Sequence, residues 1–241
     1  MFKKILNFIF PETYSCLGCG RDVFDNPYLF CSHCIDKLPF ITEKVCIRCG
    51  DILENQGYYC KRCKGRTITF DRAISCFKYD GKIKTLIHSL KFDKAKYVAL
   101  SLSKFLADVF INEKLYANII IPVPLCDKRL KQRGYNQSKI LADELSKHLK
   151  LKVKDNLLKR VKETPNQTEL NFNQRQVNLL DAFKVVNSKE IKDKAVLLID
   201  DIYTTGATAR ECSKVLRKAG AKAIYVLTVG HTILKNESGE N

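Results

Sequence analysis

The sequence predicts an α/β protein: a mostly parallel sheet flanked by helices, with a small zinc-ribbon-like domain at its N-terminal end. Three observations predict this. Eight of the 11 cysteines form four CxxC pairs within the first 63 residues. From residue 71 onward, apolar strand-like runs alternate with helical runs. Residues 196–212, "VLLIDDIYTTGATAREC", pass from a buried-strand pattern through two carboxylates and a Thr/Gly loop into a helix. The expected division is a cysteine-rich domain over residues 1–70, a sheet domain over 71–235 and a tail over 236–241.

The cysteine array reads as an internal repeat. "CLGCGRDVFDNPYLFCSHC" aligns with "CIRCGDILENQGYYCKRC", each with Gly after its second Cys and an aromatic before its third. A two-residue gap lets two thiolates face one tetrahedral ion, and four thiolates satisfy one zinc. The simplest arrangement is two zinc ions bound in sequence, by Cys16, Cys19, Cys31 and Cys34 and by Cys46, Cys49, Cys60 and Cys63. A cross-braced arrangement, or metal in only one site, satisfies the same spacing. A metal substitutes for the hydrophobic core that so short a segment lacks. Cys76, Cys126 and Cys212 fall outside the repeat and read as half-buried thiols.

The sheet domain follows in order. Residues 73–79 alternate as a strand, and residues 82–90 place Ile83, Leu86, Ile87 and Leu90 on one helical face. A longer helix over 97–111 carries Leu102, Phe105, Leu106 and Val109. The apolar strand 118–125 stops at Pro122 and Pro124, and a basic loop, "CDKRLKQRGYNQ", follows. Next come a helix with Leu141, Leu145 and Leu149, and a long polar loop over 160–178. A strand at 194–200, a helix stopped by Gly220 and a strand at 223–230 complete the domain. His88, His148 and His231 read as isolated, and Lys91 as a surface lysine after a helix, with approach to a bound pyrophosphate as the alternative.

Charge sets the kind of partner. The chain carries 42 basic and 26 acidic residues, a net charge of +16. Residues 1–70 hold ten and seven of these, so the excess lies in the sheet domain and calls for an anionic partner. The first residues, "MFKKILNFIFPETY", hold too short an apolar run for a secretory signal and lack a small-residue cleavage site. The expected location is the cytoplasm, with peripheral contact at the inner face of the membrane as the alternative.

Residues 196–212 join these strands of evidence. A strand entering a Thr/Gly loop that opens a helix directs backbone N–H groups and the positive helix end at one spot, an anion cradle. Thr204, Thr205 and Thr208 add hydroxyls, and no Gly-Lys-Ser/Thr follows, so this is not a Walker loop. Two adjacent carboxylates, Asp200 and Asp201, would repel a phosphate, but they suit the vicinal diol of a ribose and Mg²⁺ held through its water shell. The ligand wanted has a 5′-phosphate and a ribose diol.

"VLLIDDIYTTGAT" resembles the phosphoribosyl pyrophosphate (PRPP) signature of type I phosphoribosyltransferases, with Tyr203 where an aliphatic residue is usual. A wider set resembles the ComF competence family: "FP" before the first CxxC, the cysteine array, "FDRA", "LKF", "VPL", "RLKQRGYNQS", then Arg160, Thr164, Gln167, Arg175 and Asn178 in order. This resemblance implies a type I phosphoribosyltransferase-like sheet that binds PRPP with Mg²⁺. It implies that Asp200 and Asp201 hold the ribose hydroxyls and that Thr204, Thr205, Gly206, Ala207 and Thr208 hold the 5′-phosphate. Arg129, Arg133 and Gly134 would form the pyrophosphate loop, and Arg160, Gln167 and Arg175 a hood loop.

The resemblance also implies a role in natural transformation, with single-stranded DNA and DNA-uptake proteins as partners. Phosphoribosyl transfer to an unknown acceptor, unrelated to DNA, is the alternative, and no catalytic residue is assigned. Tyr135 and Phe172 are candidate base-stacking platforms, and residues 147–162 a candidate basic track.

Overall fold

The computed structural model describes residues 13–53, 56–162 and 179–233. The cysteine-rich segment opens with β1 (Thr13–Ser15) antiparallel to β2 (Asp22–Phe24), followed by the short helix α1 (Ser32–Ile35). Then come β3 (Arg72–Lys78), α2 (Gly81–Phe92), α3 (Val98–Asn112), β4 (Ile119–Pro122), α4 (Asp127–Arg133) and α5 (Gln137–Leu149). The chain continues through β5 (Lys152–Val153), β6 (Leu158–Arg160), β7 (Phe183–Val185), β8 (Ala195–Tyr203), α6 (Ala207–Lys218) and β9 (Ala223–His231).

Five strands form one parallel sheet in the order β3-β9-β8-β4-β5. From β4 the chain crosses through α5 to β5 on one side, whereas from β8 it crosses through α6 to β9 on the other. The crevice between the C-terminal ends of β4 and β8 is therefore a topological switch point, where ligands bind in sheets of this kind. β4 pairs with β8 only as far as Pro122 opposite Ile199, so Asp200 and Asp201 extend past the last paired residue. The β8–β9 register runs to Tyr203 opposite His231.

Sequence periodicity explains most elements. Ile83, Leu86, Ile87 and Leu90 are the buried face of α2, whose first N–H is capped by the Asp80 side chain at 2.7 Å. α5 buries Leu141 and Leu145 behind an Asn136 cap. The basic loop after β4 is mostly helix α4: Asp127 stands at its start and Gly134, at φ +80°, closes it. β6 and β7 form a separate antiparallel pair on either side of residues 163–178. They are three residues each, too short to show a period.

The sheet is covered on both faces, and each cysteine set belongs to a different face. β8 sends Leu197 and Ile199 into the core that holds Cys16, Val23, Phe30, Leu38, α2, α3 and α5. It sends Val196 and Leu198 into a second core with Cys46, Cys49, Cys63, Phe70 and α6. The two ribbons thus straddle the edge strand β3. Lys78 N donates to Pro39 O at 2.8 Å and Ala73 N to Arg48 O at 2.7 Å, which covers part of an edge that would otherwise be open to another chain.

Phe105 of α3 is the joint of the first ribbon. Its ring meets Tyr28 at 4.7 Å, Phe77 at 5.1 Å, Phe40 at 5.9 Å and Phe30 at 6.3 Å. Phe105→Ala is expected to cost about 3–5 kcal/mol in chemical denaturation, as deleting a buried ring from a close-packed cluster does. A cost below about 1 kcal/mol would show that the ring cluster does not carry the docking.

Candidate anion-binding site and metal centres

The switch-point crevice is a cavity of about 720 Å³. Its floor is the end of β8 and the loop that follows. Gly206 takes φ +73° at the cap of α6, so the loop turns sharply and the first N–H groups of a 12-residue helix face the cavity. Thr204, Gly206 and Thr208 line it. Thr205 is turned inward, where its hydroxyl accepts from Ala207 N at 3.4 Å.

The two carboxylates are neutralised in different ways. Asp200 accepts from Ser138 Oγ at 2.9 Å and from Asp201 N at 2.9 Å. Burial pushes its carboxyl up to about 8, and the charge of Asp201 adds to this. Asp201 accepts from Gln137 Nε2 at 3.0 Å and forms an ion pair with Lys91. Burial alone would raise Asp201 too, but Lys91 and Gln137 hold it below the ordinary carboxylate range. One carboxylate keeps its proton and the other is paired. Two adjacent, largely desolvated carboxylates are stable side by side only in some such way.

The opposite wall is cationic. Arg129 and Arg133 reach the cavity from α4 and Arg160 from β6. Burial pushes the Arg160 guanidinium down and Arg129 lowers it further; burial also lowers Arg133. Guanidiniums crowded in this way favour an anion between them. Arg133 donates to Gln137 Oε1 and stacks over Phe92, 5.0 Å from the ring centroid.

Each cysteine set fits zinc. The four Sγ atoms of Cys16, Cys19, Cys31 and Cys34 lie within 4.8 Å of one another, as do those of Cys46, Cys49, Cys60 and Cys63. The Sγ atoms of Cys19 and Cys31 are 3.8 Å apart and those of Cys49 and Cys60 3.5 Å apart. A Zn–S bond of about 2.3 Å sets a tetrahedral edge of roughly 3.8 Å. The pairing is sequential rather than cross-braced. Zinc held by four thiolates has no open position, so its role here is structural.

Two family models match the chain: a double zinc ribbon domain over residues 5–64 and a phosphoribosyl transferase domain over residues 135–240. Competence protein F of Haemophilus influenzae is 32% identical over 89% of this chain and 95% of its own length. The chain belongs to the ComF family. Competence protein ComFC of Streptococcus pneumoniae is 32% identical over 83% of this chain and 86% of its own length. DNA utilization protein YhgH of Escherichia coli is 27% identical over 90% and 97%.

In this ComF-family chain the cavity gathers Arg129, Arg133, Arg160, Asp200, Asp201, Thr204, Gly206 and Thr208. Ala207 is buried as the first residue of α6, and Gly134 serves as the cap of α4. Gln167 and Arg175 lie outside the described residues, as do Thr164, Phe172, Asn178, the first 12 residues and the tail. Among the described residues no helix is long and apolar enough to cross a membrane.

Several residues were misplaced or missed by sequence reasoning. Lys91 is not a surface lysine: it sits inside α2, its side chain 19% exposed, and pairs with Asp201. His231 is not isolated but buried, 2.9 Å from an Asp51 carboxylate oxygen. Cys76, Cys126 and Cys212 are fully rather than half buried. Phe92, 61% exposed, is an exposed aromatic that lines the cavity beside Tyr79 and Tyr203. Tyr135 is held down instead, its hydroxyl donating to Leu90 O at 2.6 Å. "LKF" ahead of an acidic cradle was the available signal for Lys91 and Phe92. In the basic stretch 147–162, Lys147 pairs with Glu144 and Lys154 with Glu190, which lowers its value as a DNA track.

The raised Asp200 has a consequence for stability. In the unfolded chain this carboxyl ionises near its ordinary value of about 3.9. The folded protein therefore loses stability as pH rises from that range toward about 8 and no further above it. Asp200→Asn removes this loss. Its stability relative to wild type is expected to grow between pH 6 and pH 8 and then level off, as read from urea midpoints. A difference that stays constant with pH would show that Asp200 is not held protonated.

Proposed function

We propose that the cavity binds PRPP with Mg²⁺ and that the protein acts in DNA uptake during natural transformation, handling incoming single-stranded DNA in the cytoplasm. One observation carries the ligand reading: adjacent carboxylates, Asp201 buried and Asp200 half-buried, and a helix N-terminus face a cationic wall across one crevice. The 5′-phosphate fits the Thr204–Thr208 loop, where N–H groups and hydroxyls are supplied without a competing charge. The ribose diol fits Asp200 and Asp201, which can each accept once Lys91 or the proton gives way. The pyrophosphate fits Arg129, Arg133 and Arg160, whose crowding it relieves. Mg²⁺, a hard cation that keeps much of its water, suits the carboxylates and phosphate oxygens, where it neutralises charge on the pyrophosphate.

The DNA reading is supported by the relatives' names, which are competence and DNA utilization proteins. The net charge of +16 and the exposed Phe92 ring beside Arg133 suit a single strand, whose phosphates need cations and whose bases need a stacking face. A second reading, transfer of the phosphoribosyl group to an acceptor, is favoured by the same arginines. They stand where a leaving pyrophosphate would develop charge, and electrostatic stabilisation is the main help such a reaction needs.

Thermal unfolding with Mg²⁺ and PRPP tests the site. A ligand at 100 times its Kd adds about 2.7 kcal/mol of native stability. Wild type is expected to show such a gain and Asp200→Ala/Asp201→Ala to show none. No gain by wild type at millimolar PRPP would sink the PRPP reading and leave salt-dependent binding to single-stranded DNA as the function to pursue.

A further inference from the structure

The second ribbon is tied to the phosphate cradle by an unbroken line of contacts. Asp51 follows Cys49 by two residues, and its carbonyl accepts from Cys46 N at 2.7 Å. Its carboxylate pairs with Arg62 of the same ribbon through one oxygen. The other oxygen lies 2.9 Å from His231 Nε2. His231 is 1% exposed, and its ring stacks on Tyr203 with centroids 5.0 Å apart and planes at 16°. Thr232 N donates to Tyr203 O at 2.8 Å, which ties the end of β9 to the end of β8.

Tyr203 in turn fills the space behind the loop. A Cβ at Gly206 would sit 2.2 Å from the Tyr203 hydroxyl oxygen, so the loop backbone rests directly on the phenol. Arg210 braces the same turn from α6, donating from Nη1 to Thr205 O at 3.0 Å. Tyr203 stands where the PRPP signature usually has an aliphatic residue, and here that exchange gives the loop a rigid aromatic support. The first ribbon has no comparable link. It docks on the far face through Tyr28, Phe30 and Phe105.

A buried Asp–His–Arg cluster is a costly way to join two surfaces that apolar side chains could join as well. What it adds is direction, since hydrogen bonds fix orientation where apolar packing permits sliding. We propose that the second zinc ribbon is a working part of the phosphate cradle: Asp51, acting through His231 and Tyr203, fixes the loop at Thr204–Gly206 in the shape that receives a phosphate. These three are positioning residues. The ligand side of this inference rests on the PRPP reading above; the ordering of the loop does not.

The test uses the full chain, with zinc content, amide hydrogen exchange over residues 203–208 and Mg·PRPP affinity measured together. Asp51→Ala should keep both zinc ions, speed exchange at these amides about tenfold and weaken PRPP about tenfold, the size of one lost buried hydrogen bond. Asp51→Asn keeps an oxygen facing His231 but turns its amide N–H groups toward Arg62, so both quantities should fall between those of wild type and Asp51→Ala. Cys19→Ser, which damages the first ribbon, should lose one zinc and leave exchange over 203–208 unchanged. If Asp51→Ala does not fold, His231→Phe, which keeps the stack and drops the Asp51 bond, should show the same faster exchange.

Wild-type exchange at these amides in Asp51→Ala or His231→Phe overturns the proposal. So does an equal rise in Cys19→Ser, which would mean general loosening. If wild type binds no PRPP while exchange still rises in Asp51→Ala, the PRPP reading fails and the positioning role stands. If PRPP binds and neither quantity moves, the reverse holds.

Discussion

Holding Asp200 and Asp201, one half-buried and one buried, side by side at the end of β8 is the constraint on which the site depends. Two adjacent charges taken out of water repel each other and lose their hydration. The protein resolves this with three neighbours from two helices: Ser138 and Gln137 from α5, and Lys91 from α2. Each of these helices packs on the first core by its apolar face, so the sheet positions the very groups that neutralise the pair. The crevice floor is consequently held together by interactions between the carboxylates and these three side chains.

The topology supplies the rest. Because β4 stops at Pro122, β8 runs on past Ile199 paired only with β9 and presents its carboxylates to the crevice. Helix α4, closed by Gly134, brings Arg129 and Arg133 to the other side, and the β6–β7 pair brings Arg160. The phosphoribosyl transferase family match begins at residue 135, so Lys91, Phe92, Arg129 and Arg133 come from ahead of it. All four nevertheless line the same crevice as Asp200, Asp201 and Thr204. The ribbons are built into the two faces of the sheet, and zinc held by their thiolates would stabilise the surfaces on which the sheet's edge relies.

Much of this was legible in the sequence. The CxxC spacing carries its own geometry, because two residues between thiols leave little freedom in where the ion sits. The strand patterns of residues 194–200 and 223–230 and the apolar face of α2 follow from period alone. The acidic pair beside an anion-binding loop pointed to a diol. Partners set by strand register and by packing across faces were not legible. Nothing in the sequence brings Asp51 to His231, 180 residues away, or shows that the two cysteine sets lie on opposite faces. Lys91 was misread because a lysine near a helix end is usually solvated, and its carboxylate partner is 110 positions distant. Helix α4 could have been found from Asp127 at its start and Gly134 at its end; the run of basic residues between them obscured it.

If the crevice binds Mg·PRPP as proposed, Asp200, raised by burial and by Asp201, has to ionise to serve the diol or the cation. Isothermal titration of wild type with Mg·PRPP at pH 7, in two buffers of different ionisation heat, measures this directly. The account predicts release of about one proton per ligand bound, since a carboxyl that titrates near 8 is mostly protonated at pH 7 and must ionise to serve the diol or the cation. Binding with no proton released would contradict it, and would mean that Asp200 is already ionised in the free protein or stays protonated in the complex.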